Sequence, residues 1–138
     1  MNPHSIELQQ QLINTLRAAI PDCQAIYSFG SWGTDAERSD SDIDLAVLPL
    51  TPLDPVQRWD LAQKLASLAR HDVDLVDLLR ASTVLRMQVV ANGQRLYTAD
   101  VNAVEQFENT VFSSYARLNE ERRGILDDVR QRGNIHGK

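Results

Sequence analysis

Apolar residues recur at Ile6, Leu8, Leu12, Ile13, Leu16 and Ile20, close to helical spacing, and predict a helix over residues 5–19. Pro21-Asp22 breaks it. Residues 24–29 (Gln-Ala-Ile-Tyr-Ser-Phe) read as a short strand that runs into a Gly30-Ser31 turn. Residues 33–41 are polar and predict a loop that opens with a short helical turn. Residues 42–48 alternate apolar and polar and read as a second strand. Asp54-Pro55 is a helix start, an N-cap carboxylate followed by proline at the first helical position. Val56, Trp59, Leu61, Leu65 and Leu68 are expected to form the buried side of that helix, which His71 ends. Asp72 to Leu78 is a third strand. Ser82 caps a further helix through Ala91, which Asn92-Gly93 stops in the manner of a left-handed C-cap. Gln94 to Thr98 reads as a small fourth strand.

From Val101 to about Arg132 only Gly124 interrupts a helical pattern. Val104, Phe107, Val111, Tyr115, Leu118, Ile125 and Val129 follow spacings of three, four or seven, a coiled-coil-like seam broken at Arg122. At 1.5 Å per residue this helix would run roughly 48 Å. A compact chain of this length is only about 35–40 Å across. Either part of the apolar stripe overhangs and needs a partner, or the helix bends back at Gly124. The tail from Gly133 to Lys138 is expected to fray. The whole reads as one domain over 1–138, with a core of about 5–98 and a C-terminal helix of about 101–132.

Composition narrows the function. The 138 residues are 43% hydrophobic and 24% charged, with 14 Lys+Arg against 19 Asp+Glu and a net charge of −5. That suits a soluble globular protein and argues against holding nucleic acid through its phosphates, which requires a basic surface. It leaves room for a nucleotide bound through a divalent cation. Cys23 stands alone, so no intramolecular disulfide forms; it is expected to be buried and inert. With no signal-like N-terminus and no apolar run of ~20 residues, a cytoplasmic location is expected.

The chemistry concentrates where Gly30-Ser31 is followed, after ten residues, by Asp42-Ile43-Asp44. A small turn offers backbone N–H groups. A strand then sets Asp42 and Asp44 on one face and Ile43, Leu45 and Val47 on the other. Adjacent carboxylates repel, and a cation removes that cost. A calcium loop beginning at Asp40 fails, because its sixth and twelfth positions hold Leu45 and Thr51 instead of glycine and glutamate. Walker A and Gly-x-Gly-x-x-Gly motifs are absent. Ser31 has no His/Asp pair in a context that would make it a hydrolase nucleophile. The third strand adds Asp72, Asp74 and Asp77. Asp74, mid-strand, is the candidate third ligand for a site of paired metal ions. Asp72 reads as a surface residue, and Asp77 as facing solvent or capping the next turn. His4 and His136 fall in the chain ends and His71 at a helix end, so none is a candidate for catalysis.

Gly30-Ser31-x10-Asp42-x-Asp44, followed by Asp74 in a hydrophobic strand, resembles the nucleotidyltransferase superfamily of DNA polymerase β and kanamycin nucleotidyltransferase. Chain size and the run Ser41-Asp42-Ile43-Asp44-Leu45-Ala46-Val47 resemble its minimal nucleotidyltransferase (MNT) branch, whose members commonly act as antitoxins to HEPN RNase toxins. The resemblance covers roughly residues 24–98 well and the C-terminal helix more loosely. It implies an α/β (α+β) nucleotidyltransferase fold, a small mixed sheet flanked by helices with a long C-terminal helix. It also implies that Gly30 and Ser31 hold the triphosphate of ATP, that Asp42 and Asp44 bind Mg²⁺, and that Asp74 completes the metal site and accepts the proton of the attacking hydroxyl. Many relatives carry Ala-Arg-Gly after the Gly-Ser, where this chain has Gly33-Thr34-Asp35, so Arg38 becomes the candidate phosphate contact. Trp32 is expected to pack against the domain. The implied reaction is transfer of AMP to a tyrosine of a cognate HEPN toxin docked through the C-terminal helix. The alternatives are a catalytically silent binding antitoxin and a small-molecule nucleotidyltransferase.

Overall fold

The computed structural model describes residues 3–30 and 42–135. Ser31, Trp32, Gly33, Thr34, Asp35 and Arg38, and with them the expected helical turn after Trp32, lie outside the described residues. The elements follow in the order α1 (Pro3–Ala19), β1 (Ala25–Phe29), β2 (Ile43–Leu48), α2 (Pro55–Ala69), β3 (Val73–Asp77), α3 (Thr83–Asn92), β4 (Gln94–Thr98) and α4 (Val101–Ile135). The four strands form one mixed sheet in the order β3-β2-β1-β4. β1 pairs antiparallel with β2 and β4, and β2 pairs parallel with β3 across the α2 crossover.

Strand alternation builds two cores. Ile26, Ile43, Leu45, Val47 and Leu75 point to one face and pack with Leu12 and Leu16 of α1 and Leu61 and Leu65 of α2. Ala25, Tyr27, Ala46 and Leu48 point to the other, under Val89 of α3 and Val104 of α4. Each face alone is apolar, so the sheet is stable only when both pairs of helices cover it.

α2 corrects its expected buried side. Leu61, Ala62, Leu65 and Ala69 face the core, whereas Val56 and Trp59 are 65% and 60% exposed and Leu68 sits on the flank. At 100° per residue Trp59 points nearly opposite to Leu61, so its hydrophobicity misplaced the inward arc. Asp54 caps the helix start by accepting from the Gln57 N–H at 3.3 Å. Arg70, in the left-handed region at φ 58°, ends it one residue before His71, whose Nδ1 lies 3.0 Å from the Ala69 carbonyl oxygen.

Gly93 is extended, at φ −81°, where a left-handed cap was expected. Glycine is needed there because a Cβ would collide with the backbone oxygens of Val89 and Ser28.

α4 is continuous over 35 residues, about 52 Å at 1.5 Å per residue. Its first turns are anchored: Val104 and Val111 are buried, and the Tyr27 hydroxyl donates to Glu108 at 2.7 Å, with Arg95 3.7 Å from the same carboxylate. Residues 120–131 are all exposed, a side chain on Gly124 would meet only open space, and Ile125, Leu126 and Val129 are more than half exposed. The seam overhangs; it does not fold back. Cys23 is buried, and burial pushes its thiol up to about 11, so it stays protonated. No described helix is long and apolar enough to cross a membrane.

Candidate active site

The acidic cluster grows out of the β1–β2–β3 ladder. Phe29, the last residue of β1, lies opposite Asp44 on β2, and Asp44 lies opposite Asp74 on β3. Parity puts Asp44 in line with Ala46 and Leu48, and Asp74 in line with Val76 and Leu78, on the sheet face that α3 and α4 cover further along. The two carboxylates stand at the end of that face. Asp44 is half-buried and Asp74 exposed, and Asp42 is exposed immediately before β2. Strand pairing therefore brings Asp44 and Asp74 side by side, and chain continuity sets Asp42 next to them.

Gly30 closes the other side. Its φ of 79° is one that L residues rarely adopt, and a Cβ there would collide with the Asp44 carboxylate, its Cγ lying 3.2 Å away. Glycine lets the backbone of the turn approach Asp44 directly, so the amide-bearing segment and the carboxylates share one corner of the sheet.

The electrostatics are those of unpaired like charges. Desolvation first, then the neighbouring Asp74 and Asp42 carboxylates, hold the Asp44 carboxyl above its ordinary value. Among the described residues no Lys or Arg forms an ion pair with any of the three. Nor, among them, is any group of three His, Cys, Asp or Glu side chains gathered closely enough to hold one ion as it stands. The donor set nonetheless fits a hard divalent cation: all-oxygen, anionic, and destabilised by the absence of positive charge. Of the sequence candidates, Gly30, Asp42, Asp44 and Asp74 come together here, whereas Ser31 and Arg38 lie outside the described residues.

Asp77 takes the second of its two expected places, capping the next turn. It is 3% exposed and points to the α2 face, where it accepts the Leu53 N–H at 2.7 Å and the Leu79 N–H at 2.9 Å. The 51–54 loop folds over it, so of the two readings capping is the one realised.

Two arginines escaped sequence reasoning. Arg58 of α2 donates from Nη1 to the Leu75 carbonyl at 3.0 Å, and Arg80 donates from Nε to the Leu53 carbonyl at 3.0 Å. Both line a cavity of about 300 Å³ along the outer edge of β3, with Asp74 at its wall. Nothing in their local sequence marks them; only the α2 crossover brings Arg58 to the strand edge.

A mixed sheet with paired aspartates on adjacent strands and a glycine turn against them defines a nucleotidyltransferase site. The family model described as Polymerase beta, Nucleotidyltransferase matches residues 10–102, and the chain belongs to that family. Within it, the chain is 47% identical over 121 residues to the protein adenylyltransferase MntA of Shewanella oneidensis, covering 88% of this chain and 86% of the relative. The fold matches the tri-AMPylated Shewanella oneidensis HEPN toxin in complex with MNT antitoxin at a TM-score of 0.78 and 46% identity, covering 91% of this chain and 98% of that one. It also matches a toxin–antitoxin complex with AMP-PNP at a TM-score of 0.80 and 47% identity, covering 88% and 97%.

Proposed function

We propose that this protein is an antitoxin that neutralises a HEPN toxin by adenylylating it, moving AMP from ATP to a tyrosine hydroxyl with Mg²⁺ as the metal. The carrying observation is the juxtaposition of Asp44 and Asp74 on paired strands, with Asp42 beside them and the Gly30 backbone against Asp44. Identity to an adenylyltransferase over nearly the whole chain supports the choice of a protein acceptor.

In this reading Gly30 and Ser31 present the turn to the triphosphate, and Arg38 adds a phosphate contact. Asp42, Asp44 and Asp74 hold Mg²⁺, which when bound neutralises the charge that develops on the phosphates. Asp74, the most accessible of the β2–β3 pair, receives the tyrosine proton. The tyrosine oxygen attacks the α-phosphorus and forms the new ester bond. The bond from that phosphorus to the oxygen bridging the β-phosphate breaks, and pyrophosphate leaves. The overhanging apolar stretch around Ile125 and Val129 gives the toxin a docking surface, so the acceptor arrives on another chain.

Co-expression separates catalysis from plain binding. Cells making a cognate HEPN toxin are expected to grow with the wild-type protein and to arrest with an Asp42→Asn/Asp44→Asn variant that still co-purifies with the toxin. Full protection by that variant would instead establish a silent binding antitoxin.

A further inference from the structure

The cavity on the outer edge of β3 has a use that the metal site leaves open. Along the sheet the order is β3-β2-β1, so the Gly30 turn lies on one side of Asp44 and the Arg58–Arg80 cavity lies on the other, beyond Asp74. The triphosphate is assigned to the turn side. Asp74, the proposed proton acceptor, lines the cavity, so the cavity adjoins the place of the acceptor hydroxyl.

Its charged lining is two guanidinium groups, Arg58 and Arg80, beside the Asp74 and Asp77 carboxylates. Arg58 and Arg80 each spend one nitrogen on a backbone carbonyl, which fixes the side chain. Arg80 Nε, the nitrogen bonded to Leu53, also lies 3.9 Å from Asp77, and among the described residues the Nη groups of Arg80 and the Nε and Nη2 of Arg58 make no hydrogen bond. The short bonds of Asp77 go to the Leu53 and Leu79 N–H groups, and its contact with Arg80 is long. Two oriented guanidinium forks recognise oxyanions with little further ordering cost. The volume, about 300 Å³, is at the lower end of small-molecule sites and admits a phosphate with part of its sugar.

We infer that the Arg58–Arg80 cavity is an acceptor-side anion subsite: it holds a negatively charged group carried by the acceptor next to the hydroxyl that Asp74 serves. The inference rests on the adenylyltransferase reading above. Two sources supply this chemistry, an acidic residue beside the acceptor tyrosine or the phosphate of an AMP unit already attached to it. The second would let a modified acceptor be held for another round.

The test is a binding titration that requires no turnover. The protein is saturated with Mg²⁺ and α,β-methylene-ATP and titrated, by NMR, with three probes: tyrosinamide, glutamyl-tyrosinamide and tyrosinamide adenylylated on its phenol oxygen. At least one anionic probe is expected to bind about tenfold tighter than tyrosinamide, and Arg58→Gln or Arg80→Gln to erase that advantage, as loss of a charge-assisted contact requires. Which anionic probe gains identifies the source. Arg80→Lys keeps the charge and restores most of the affinity, which guards against a variant that merely misfolds. Equal affinity for charged and uncharged probes, or variants that bind like wild type, would overturn the inference. So would variants that weaken α,β-methylene-ATP equally, because the cavity would then serve the triphosphate. Failure of the adenylyltransferase reading appears separately, as absence of AMP transfer by the wild-type protein.

Discussion

The two ends of the β2–β3 ladder carry the same residue type in opposite circumstances. At one end Asp44 and Asp74 face each other across the parallel register, with no cation paired to them among the described residues, and Asp44 is held above its ordinary pKa. At the other, Asp77 on the same strand is buried and accepts two backbone N–H groups. Three residues and one switch of face separate Asp74 from Asp77. A carboxylate with its lone pairs satisfied by backbone closes a loop and stabilises the fold. A pair of carboxylates without partners is costly until a cation arrives, and a site for metal-bound phosphates uses that cost to hold the cation.

The difference can be broken at either end. Asp44→Asn should lower the rate of AMP transfer about 10³-fold while leaving the circular dichroism spectrum unchanged. Normal turnover would mean that the acidic end is ordinary surface. Asp77→Ala should instead destabilise the fold by about 3 kcal/mol in chemical denaturation, since it orphans the Leu53 and Leu79 N–H groups. A loss below about 0.5 kcal/mol would contradict the structural role of that carboxylate.

α4 repeats the contrast between settled and unsettled groups. Ile125→Ser/Val129→Ser should weaken toxin binding about tenfold, measured by calorimetry, yet shift the Tm of the isolated chain hardly at all, because both residues are already exposed. Unchanged affinity would remove the overhang from the interface.

The smallest effect is on stability against pH in metal-free protein. A carboxyl whose folded pKa lies above its unfolded value of ~3.9 binds its proton more tightly in the native state. It favours folding below that value, and the benefit is lost as pH rises through the raised native pKa. Asp44→Asn removes this loss. The variant should therefore melt above wild type near pH 7, with the gap closing as pH falls below the unfolded value. A gap independent of pH would point to a cause other than Asp44's charge.

Much of this was legible in the chain. Period-two alternation placed β2, and Asp54-Pro55 and Ser82 marked helix starts whose caps the structure contains. The continuous apolar seam left two outcomes, an overhang or a bend at Gly124, and α4 overhangs. What was hidden depends on contacts remote in sequence. Asp77 was left between solvent and a capping role because one partner, the Leu53 N–H, lies 24 residues away. Trp59 and Val56 looked buried because hydrophobicity was counted before direction around the helix. Gly93 looked like a left-handed cap because Asn-Gly usually is one; its real constraint is the Ser28 oxygen on a neighbouring strand. Arg58 and Arg80 carried no local signal at all, since their cavity exists only once α2 has crossed to β3.

The central claim is that the acidic end transfers AMP to a partner protein. Intact-mass spectrometry of a purified cognate HEPN toxin, incubated with this protein, ATP and Mg²⁺, measures that directly. The account predicts stepwise gains equal to the mass of AMP, on a tyrosine, absent with Asp42→Asn/Asp44→Asn. An unchanged toxin mass with the wild-type protein, in a complex that nonetheless forms, would contradict it.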